Sequence, residues 1–511
     1  MLTLSIIVKN EERYLRDCLK SVEEVVDEIV LVDTGSTDKT IAIAKEFNAK
    51  VFNYEWNNDF SAARNFALEH SSGDWILYLD ADERLQASSK NEILNLTKTN
   101  SKAAYYCKVK SIDEVNGRPS VMNYVRLFPN DKSVRFEGRV HEQIEASLIE
   151  KNYQIKDSTI VIDHLGYNLS NEELKQKAAR NLILLKKEYE KNPSSYIAFQ
   201  LGQTYGILND KKNAEQYFLA SFEDKNLKPE YLSVGNRYLG INAAEHGDLE
   251  KALEYIQKSL VADETQPLSL IVAAKIYFQL NKKDDAKYYC KQAYIMNEEF
   301  SSGKRSSYQT ILLDEKTILD EGINIAAGLR DKELFEFFYN KLTGYNNQPA
   351  KGDSIIAANI FHKLFDDVYI NEQEIEKFEV ILSDEKQVSV VIGLLENYSH
   401  SKSKLLMLEM LSDAFPENTI VLNKYAKCLE QNGKFKKAEE LLERSFSLNG
   451  SDPSLIFYLV SIYLKNNNIP KIPRLIEIST KMFENDPILM QKIDLLKNKL
   501  SGILVENQIK S

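Results

Sequence analysis

Residues 73–83 read GDWILYLDADE. The run from Trp75 to Leu79 suits a strand buried on both faces, and it ends in two carboxylates, Asp80 and Asp82, with only Ala81 between them. Like charges this close repel unless a cation or a solvated turn relieves them. On an extended chain residues i and i+2 point the same way, which lets Asp80 and Asp82 converge on one ligand. Alone, the pair fits either a strand end reaching water or a metal site, and the flanking sequence has to decide.

Upstream, the pattern alternates between strand and helix. MLTLSIIV opens with a first strand; it is too short to span a bilayer and has no basic leader. Leu15, Cys18, Leu19 and Val22 form one helical stripe, which gives Cys18 a core role. EIVLVD (28–33) is a second buried strand, ended by the turn TGSTD, and Ile41, Ala44 and Phe47 mark a second helix. VFNY (51–54) is a third strand, and Phe60, Ala63, Ala67 and Leu68 a third stripe, with Asp59 placed to cap it. WILYL is therefore the fourth strand of a parallel sheet covered on both faces, whose ligands bind beyond the carboxyl ends of its strands. Asp33 and Asp80 sit at such ends. Downstream, Ser89 and Glu92 fit a capping box, and Asn116-Gly117 predicts a hairpin turn. SVRFEGRVHEQIE and STIVIDHLGY read as extended segments.

From about residue 170 strands almost vanish. Ala252 and Ala286 lie 34 residues apart in the similar frames GDLEKALEYIQKSL and KKDDAKYYCKQAY. LGQTYGILNDKKNAEQYFLAS (201–221) and the stretch 425–453 around Ala438 repeat the order. This unit resembles the tetratricopeptide repeat, a helix pair whose arrays build concave surfaces for peptides or proteins. Small residues such as Gly202, Ala214 and Ala438 fall where the two helices touch. Three units are expected over 195–300 and one or two over 419–486, with a hinge at LTGYNNQPAKGD (342–353). The expected division is 1–168 α/β, 169–341 helical linker and repeats, and 342–511 further helical repeats.

The chain has 511 residues, 43% of them hydrophobic, and a formal charge of −11. That charge argues against general nucleic-acid binding, which needs a cationic surface. No stretch approaches the roughly 18 apolar residues of a transmembrane helix. Cys18, Cys107, Cys290 and Cys428 have neither metal-ligand nor disulfide spacing. These features predict a cytoplasmic protein of bacterial style with reduced thiols.

An acidic end at strand two and a DxD at strand four suggest nucleotide-sugar chemistry, because a divalent cation can neutralise a departing diphosphate. The stretches SIIVKNEE (5–12), EIVLVDTGSTDKT (28–40), NDFSAARNFAL (58–68), GDWILYLDADE (73–83), RLFPN (126–130), GRVHEQ (138–143) and HLGY (164–167) follow in an order that resembles the family 2 glycosyltransferases. The fold class this implies is an α/β nucleotide-binding GT-A (Rossmann-like) domain followed by an all-α tetratricopeptide-like region. With the repeats added, the chain is similar to the sublancin-type peptide S-glycosyltransferases and related repeat-bearing enzymes.

The resemblance implies roles. Asp33 would accept from the uracil N3–H of a UDP-sugar, or serve only as a strand-end turn cap. Val8, Lys9, Asn10 and Glu11 would line base and ribose, with Ser36 and Ala81 beside them. Arg64 would face the donor, a task suited to a rigid cationic fork. Asp80 would contact ribose or metal, and Asp82 the metal (Mn²⁺ or Mg²⁺), with His164 as a third ligand. As an extended strand, VRFEGRVHEQI places Glu142 on the apolar face with Val134, Phe136 and Ile144, and His141 on the other. Burial there raises a carboxyl's pKa toward that of a base, although a bulge at Gly138 overturns the phasing. Glu142 is then the first catalytic candidate and His141 the second, in an inverting hexosyl transfer. The acceptor that the resemblance implies is a Cys, Ser or Thr of a peptide or protein held by the repeats. The alternative is a cell-surface glycan or lipid-linked sugar, with the repeats serving a homodimer. The intact DxD, Arg64 and VHE weigh against a catalytically dead scaffold.

Overall fold

The computed structural model describes residues 1–98, 102–111, 120–165, 170–224, 227–302, 304–305, 309–344, 348–382, 385–450 and 452–508. The Asn116-Gly117 turn and the Gly166-Tyr167 end of HLGY lie outside them, as do residues 345–347 of the expected hinge.

Strands β1 (Leu2–Val8), β2 (Glu28–Asp33), β3 (Lys50–Asn53) and β4 (Trp75–Tyr78) alternate with helices α1 (Leu15–Val22), α2 (Thr40–Glu46) and α3 (Phe60–His70). β1 lies between β2 and β4, parallel to both, with Val8 beside Asp33 and Ser5 beside Tyr78. The carboxyl ends of these strands therefore share one rim. Next come β5 (Glu83–Leu85), α4 (Lys90–Leu96), β6 (Ala103–Ser111), β7 (Ser120–Pro129), α5 (Glu145–Glu150) and β8 (Gln154–His164). Among the described residues the main sheet order is β3-β2-β1-β4-β7-β6-β8-β5.

The expected fully parallel sheet is thus corrected to a mixed one. β4 and β6 both run antiparallel to β7, and β5 runs antiparallel to β8. The cause is local: β6 and β7 form the expected hairpin, and a turn at residues 80–83 sends β5 off in a new direction. Both faces are covered. Leu15, Cys18, Leu19 and Val22 of α1 pack with Leu4, Ile6 and Val8 on one face, and Ala67 of α3 joins Val30 and Val32 on the other. Each large aliphatic side chain so buried contributes about 2 kcal/mol. Ser89 and Glu92 do not form a capping box. Ser89 closes a short 3₁₀ turn and accepts from Val161 N, and Glu92 accepts from Thr159 N, so both tie this corner to β8 instead.

The helical part starts with α6 (Asn171–Lys191), opened by a Ser170/Glu173 capping box. Three helix pairs follow: α7 (Ser195–Ile207) with α8 (Lys211–Ser221), α9 (Pro229–Glu245) with α10 (Leu249–Ala262), and α11 (Pro267–Gln279) with α12 (Lys283–Ser301). A Cβ at Gly202 would meet the Phe218 ring at 2.8 Å, which is why the first pair needs glycine there. Beyond α12, β9 (Gln309–Ile311) returns to the sheet and pairs with Ser120–Met122 of β7, while Phe300 and Leu312 bury Val121. Met1–Ile318 accordingly forms one compact unit.

The second unit, Leu319–Ser511, is helical throughout its described residues. It contains the repeat-like pair Thr419–Gln431 and Phe435–Leu448, with Ala438 fully buried. Nearby, the buried Glu439 carboxylate accepts from Asn466, Asn468 and Lys471 at 2.5–2.6 Å. No helix among the described residues is long and apolar enough to cross a membrane.

Glu28 knots the sheet together. Its carboxylate accepts from Thr3 Oγ1 (2.5 Å), Ser72 N (2.8 Å), Ser72 Oγ (2.7 Å) and Lys50 Nζ (2.6 Å). Burial pushes the carboxyl up, but these donors outweigh it and lower its pKa to about 2. A carboxyl depressed on folding stabilises above its unfolded pKa, and that stability is lost as pH falls through the folded value. Glu28→Gln is therefore expected to cost about 2–3 kcal/mol at pH 7. Urea midpoints of parent and variant should converge as pH falls from 4.5 toward 2, and a gap independent of pH would refute the linkage.

Candidate active site

The rim is laced together before any ligand is considered. Thr34 N and Thr34 Oγ1 both donate to Val8 O at 3.0 Å. Asn10 sits in the left-handed region (φ 58°), where its N–H reaches Ser36 Oγ at 2.9 Å and its Oδ1 accepts from Thr37 N at 2.8 Å. Glu11 N donates to Thr40 Oγ1 at 2.7 Å. Asp33 is buried, and its carboxylate accepts from Gly35 N and Ser36 N at 3.1–3.2 Å, so it caps its own turn. Gly35, at φ 109°, is what this turn requires. Lys9 is exposed. Burial, together with the facing carboxylates of Asp82, Asp80 and Asp38, pushes Glu11 up to about 7. The mouth is therefore acidic.

Arg64 is the centre of the site. Asp59 caps α3 by accepting from Ala62 N at 2.9 Å, which aims the first turns of the helix at the rim. Arg64 is 7% exposed, and its Nη2 bonds Asp80 Oδ1 at 2.7 Å while its Nε bonds Glu142 Oε1 at 2.6 Å. Its guanidinium lies 4.9 Å from the Tyr78 ring and 5.6 Å from Phe136. Arg126 lies 4.2 Å from Tyr78, bonds Glu83 Oε1 at 2.5 Å and stands 3.7 Å from Asp80 Oδ2. Burial raises the Asp80 carboxyl, but the Arg64 and Arg126 charges outweigh it and hold it below the usual carboxylate range. Burial also pushes Glu83 up to about 7, against the pull of Arg126.

The expectation that Asp80 and Asp82 converge by strand alternation is corrected. Glu83 N donates to Asp80 O at 3.0 Å, and Asp80 N donates to Glu83 Oε2 at 2.9 Å, so residues 80–83 are a turn. The two carboxylates go to different partners: Asp80 to the arginines, Asp82 to His164, whose Nε2 lies 3.3 Å from Asp82 Oδ2. Ser111 Oγ lies 3.3 Å from the other ring nitrogen of His164. Burial alone would lower the His164 pKa, but Asp82 above all, with Glu83 and Asp80, raises it. A carboxylate and an imidazole side by side at an acidic mouth are oxygen and nitrogen donors of the kind a divalent cation takes. Ala81 turns its methyl into the core.

The VHE segment is not a strand, so its predicted phasing fails. Glu137 and Gln143 pair across a tight loop, with Gly138 at φ 92° and His141 at φ 56°. Glu142 is therefore not an isolated desolvated carboxyl but the partner of Arg64. The His141 ring reaches solvent, yet the protein packed around it pushes its pKa down, helped by Lys177. Arg126, Glu83, Ser61, Asn65 and Ser111 escaped the sequence reading. For Arg126 a signal existed, because an arginine within the buried run YVRLF demands a buried partner. A second His–carboxylate group, Glu336, His362 and Asp366, lies in the helical second unit. Opposite ring nitrogens of His362 face Glu336 (3.4 Å) and Asp366 (3.5 Å), and Lys332 pairs with Asp366.

Comparison with known proteins agrees with this layout. Residues 3–152 match Glycosyl transferase family 2, and residues 196–223 match Tetratricopeptide repeat. A TPR repeat-containing protein of Synechococcus elongatus is 32% identical over 50% of this chain and 65% of its own. The SPbeta prophage-derived glycosyltransferase SunS of Bacillus subtilis is 31% identical over 44% of this chain and 53% of its own. The chain thus spans about half to two thirds of the length of these relatives. Among solved structures, Staphylococcus aureus TarS in complex with UDP matches at TM-score 0.28 and 15% identity, over 60% of this chain and 93% of that one. Residues 3–152 thus match a glycosyltransferase family 2 domain, and helices of tetratricopeptide type follow.

Removing the Arg64 fork takes from Glu142 its guanidinium partner and leaves Asp80 with Arg126 alone. Arg64→Met is expected to cost about 2–4 kcal/mol, discounted for the cleft water that reaches Asp80. Arg64→Lys should restore less than half, because an ammonium cannot bond both carboxylates in one plane. The first urea transition of the full chain reports both, and a Lys variant as stable as the parent would refute the fork.

Proposed function

We propose that this chain is an inverting glycosyltransferase that moves a hexose from a UDP-sugar to a Cys, Ser or Thr side chain of a peptide or protein. The observation that carries the reading is the Arg64 fork, which links the acidic end of β4 to Glu142 through one buried guanidinium. The family 2 match over residues 3–152 supports the reaction class. In this reading Lys9, Asn10, Glu11, Asp33 and Ser36 line the uridine, with only the backbone of Val8 and Ala81 beside them because their side chains lie in the core, and Asp80, already fixed by two arginines, presents its free edge to ribose or cation. Asp82 and His164 would hold Mn²⁺ or Mg²⁺. When bound, the cation supplies Lewis-acid neutralisation of the diphosphate leaving group.

Glu142, with His141 as the second candidate, takes the acceptor's O–H or S–H proton as the oxygen or sulfur bonds the anomeric carbon. The bond from that carbon to the diphosphate breaks on the opposite face. A thiol needs less help than a hydroxyl, because thiolate is accessible near neutral pH. The helical repeats offer the peptide its surface, and their hydrogen-bonded junction with the Glu142 loop supports an acceptor delivered from that side.

Incubating the protein with UDP-hexoses and proteins of the same cell, with and without Mn²⁺, is expected to add a hexose mass to a protein. A sugar found only on glycan or lipid would instead select the other acceptor class, with the repeats serving a homodimer. Asp82→Ala and Glu142→Gln should each lower UDP release at least about 100-fold. A chelator should abolish turnover and Mn²⁺ restore it. Unchanged turnover in Asp82→Ala would overturn the metal assignment, and in Glu142→Gln the base.

A further inference from the structure

The loop at residues 137–143 is held from two sides. From the sheet side, α3 grips it along its whole first half: Phe60 N donates to Arg139 O (2.9 Å), Ser61 Oγ to Gly138 O (2.5 Å), and Asn65 exchanges two bonds with Phe136 (2.8 and 2.9 Å). Arg64 then bonds Glu142 itself. From the helical side, the first repeat takes the rest. Gln143 Nε2 donates to the Tyr196 hydroxyl at 3.0 Å, and that hydroxyl donates to His141 O at 3.3 Å. Val140 packs into the apolar cluster of Phe199 and Tyr231, and Arg139 reaches Glu188 of α6 at 3.4 Å. Just past the loop, Lys228 bonds Glu145 at 2.9 Å.

His141 occupies the left-handed region at φ 56°, a conformation that a non-glycine side chain holds only when its surroundings impose it. The Tyr196 hydroxyl binds the carbonyl of that same residue and the side chain two positions later, so it brackets Glu142 from both neighbours. The Tyr196 ring is itself set by Tyr231, with centroids 5.5 Å apart.

We propose that Tyr196 is a positioning residue for the reaction: through His141 O and Gln143 it fixes the loop that aims Glu142, so the first helical repeat helps set the base in addition to offering a surface to the acceptor. This rests on Glu142 being the base. A displacement of a base by a fraction of an ångström is enough to slow proton transfer, and repeat residues that touch the loop are where an engaged acceptor could be sensed.

The test uses the full chain. Tyr196→Phe deletes one oxygen and keeps the ring against Tyr231, and Gln143→Met deletes the other half of the bond. Hydrogen exchange of the peptide spanning residues 136–144 is expected to quicken about tenfold in either variant, with β1 and β4 peptides and the melting temperature unchanged. UDP release from the UDP-hexose that the parent turns over should fall about tenfold in kcat, with the donor KM unchanged. In a Glu142→Gln background Tyr196→Phe should cost nothing more. Unchanged loop exchange, an unchanged kcat, or an equal loss in both backgrounds would each overturn the proposal. Failure of the base assignment itself is seen separately, as an unimpaired Glu142→Gln single variant. Failure of the transferase reading is seen as no UDP release by the parent.

Discussion

A guanidinium that is almost removed from water needs its charge answered on the spot, and Arg64 answers it with two carboxylates from distant parts of the chain. Asp80 comes from the end of a sheet strand and Glu142 from a loop more than sixty residues later. The Tyr78 and Phe136 rings confine the fork from its faces. Much of the site follows from this: the turn at residues 80–83, the direction of α3 and the approach of the loop to the sheet. Arg126 repeats the solution one step deeper with Glu83, so the strand end is an alternation of buried charges that only this arrangement balances.

The motif NDFSAARN gains a physical explanation from the same geometry. Asp59 caps the helix, Ser61 and Asn65 hold the backbone of the loop at Gly138 and Phe136, and Arg64 holds its carboxylate. Arg64 and Asn65 lie three and four residues after Ser61, which places both beside it one turn on along the helix. The segment is a bracket for the loop as much as a lining for a donor.

Much of the fold was legible because periodicity reports burial. The alternating stripes of Leu15 to Val22 and the continuous run Trp75 to Leu79 needed no other context. What escaped was what periodicity cannot carry. β5 and β9 are three residues each, too short for a pattern. The VHE loop mimics a strand in its spacing, and only the positive φ of Gly138 and His141 undoes it. The divergence of Asp80 and Asp82 depends on a turn whose closing residue, Glu83, carries no turn signature. Tyr196 could not be found from sequence, because nothing local links a repeat helix to a loop more than fifty residues earlier.

The return of β9 to β7 has a consequence in time. Met122 meets Gln309, and the chain between them includes three complete helix pairs. At about 5–20 residues per second of synthesis, that partner emerges roughly 10–40 s after the strand it covers. During that interval the outer end of β7 is an open edge, the kind of surface that recruits other chains. The flanking residues Lys108 and Lys110 on the neighbouring strand place charge beside it. The helices therefore enter the life of the sheet twice: first as a delay during which it must resist aggregation, and then as the segment whose end closes it.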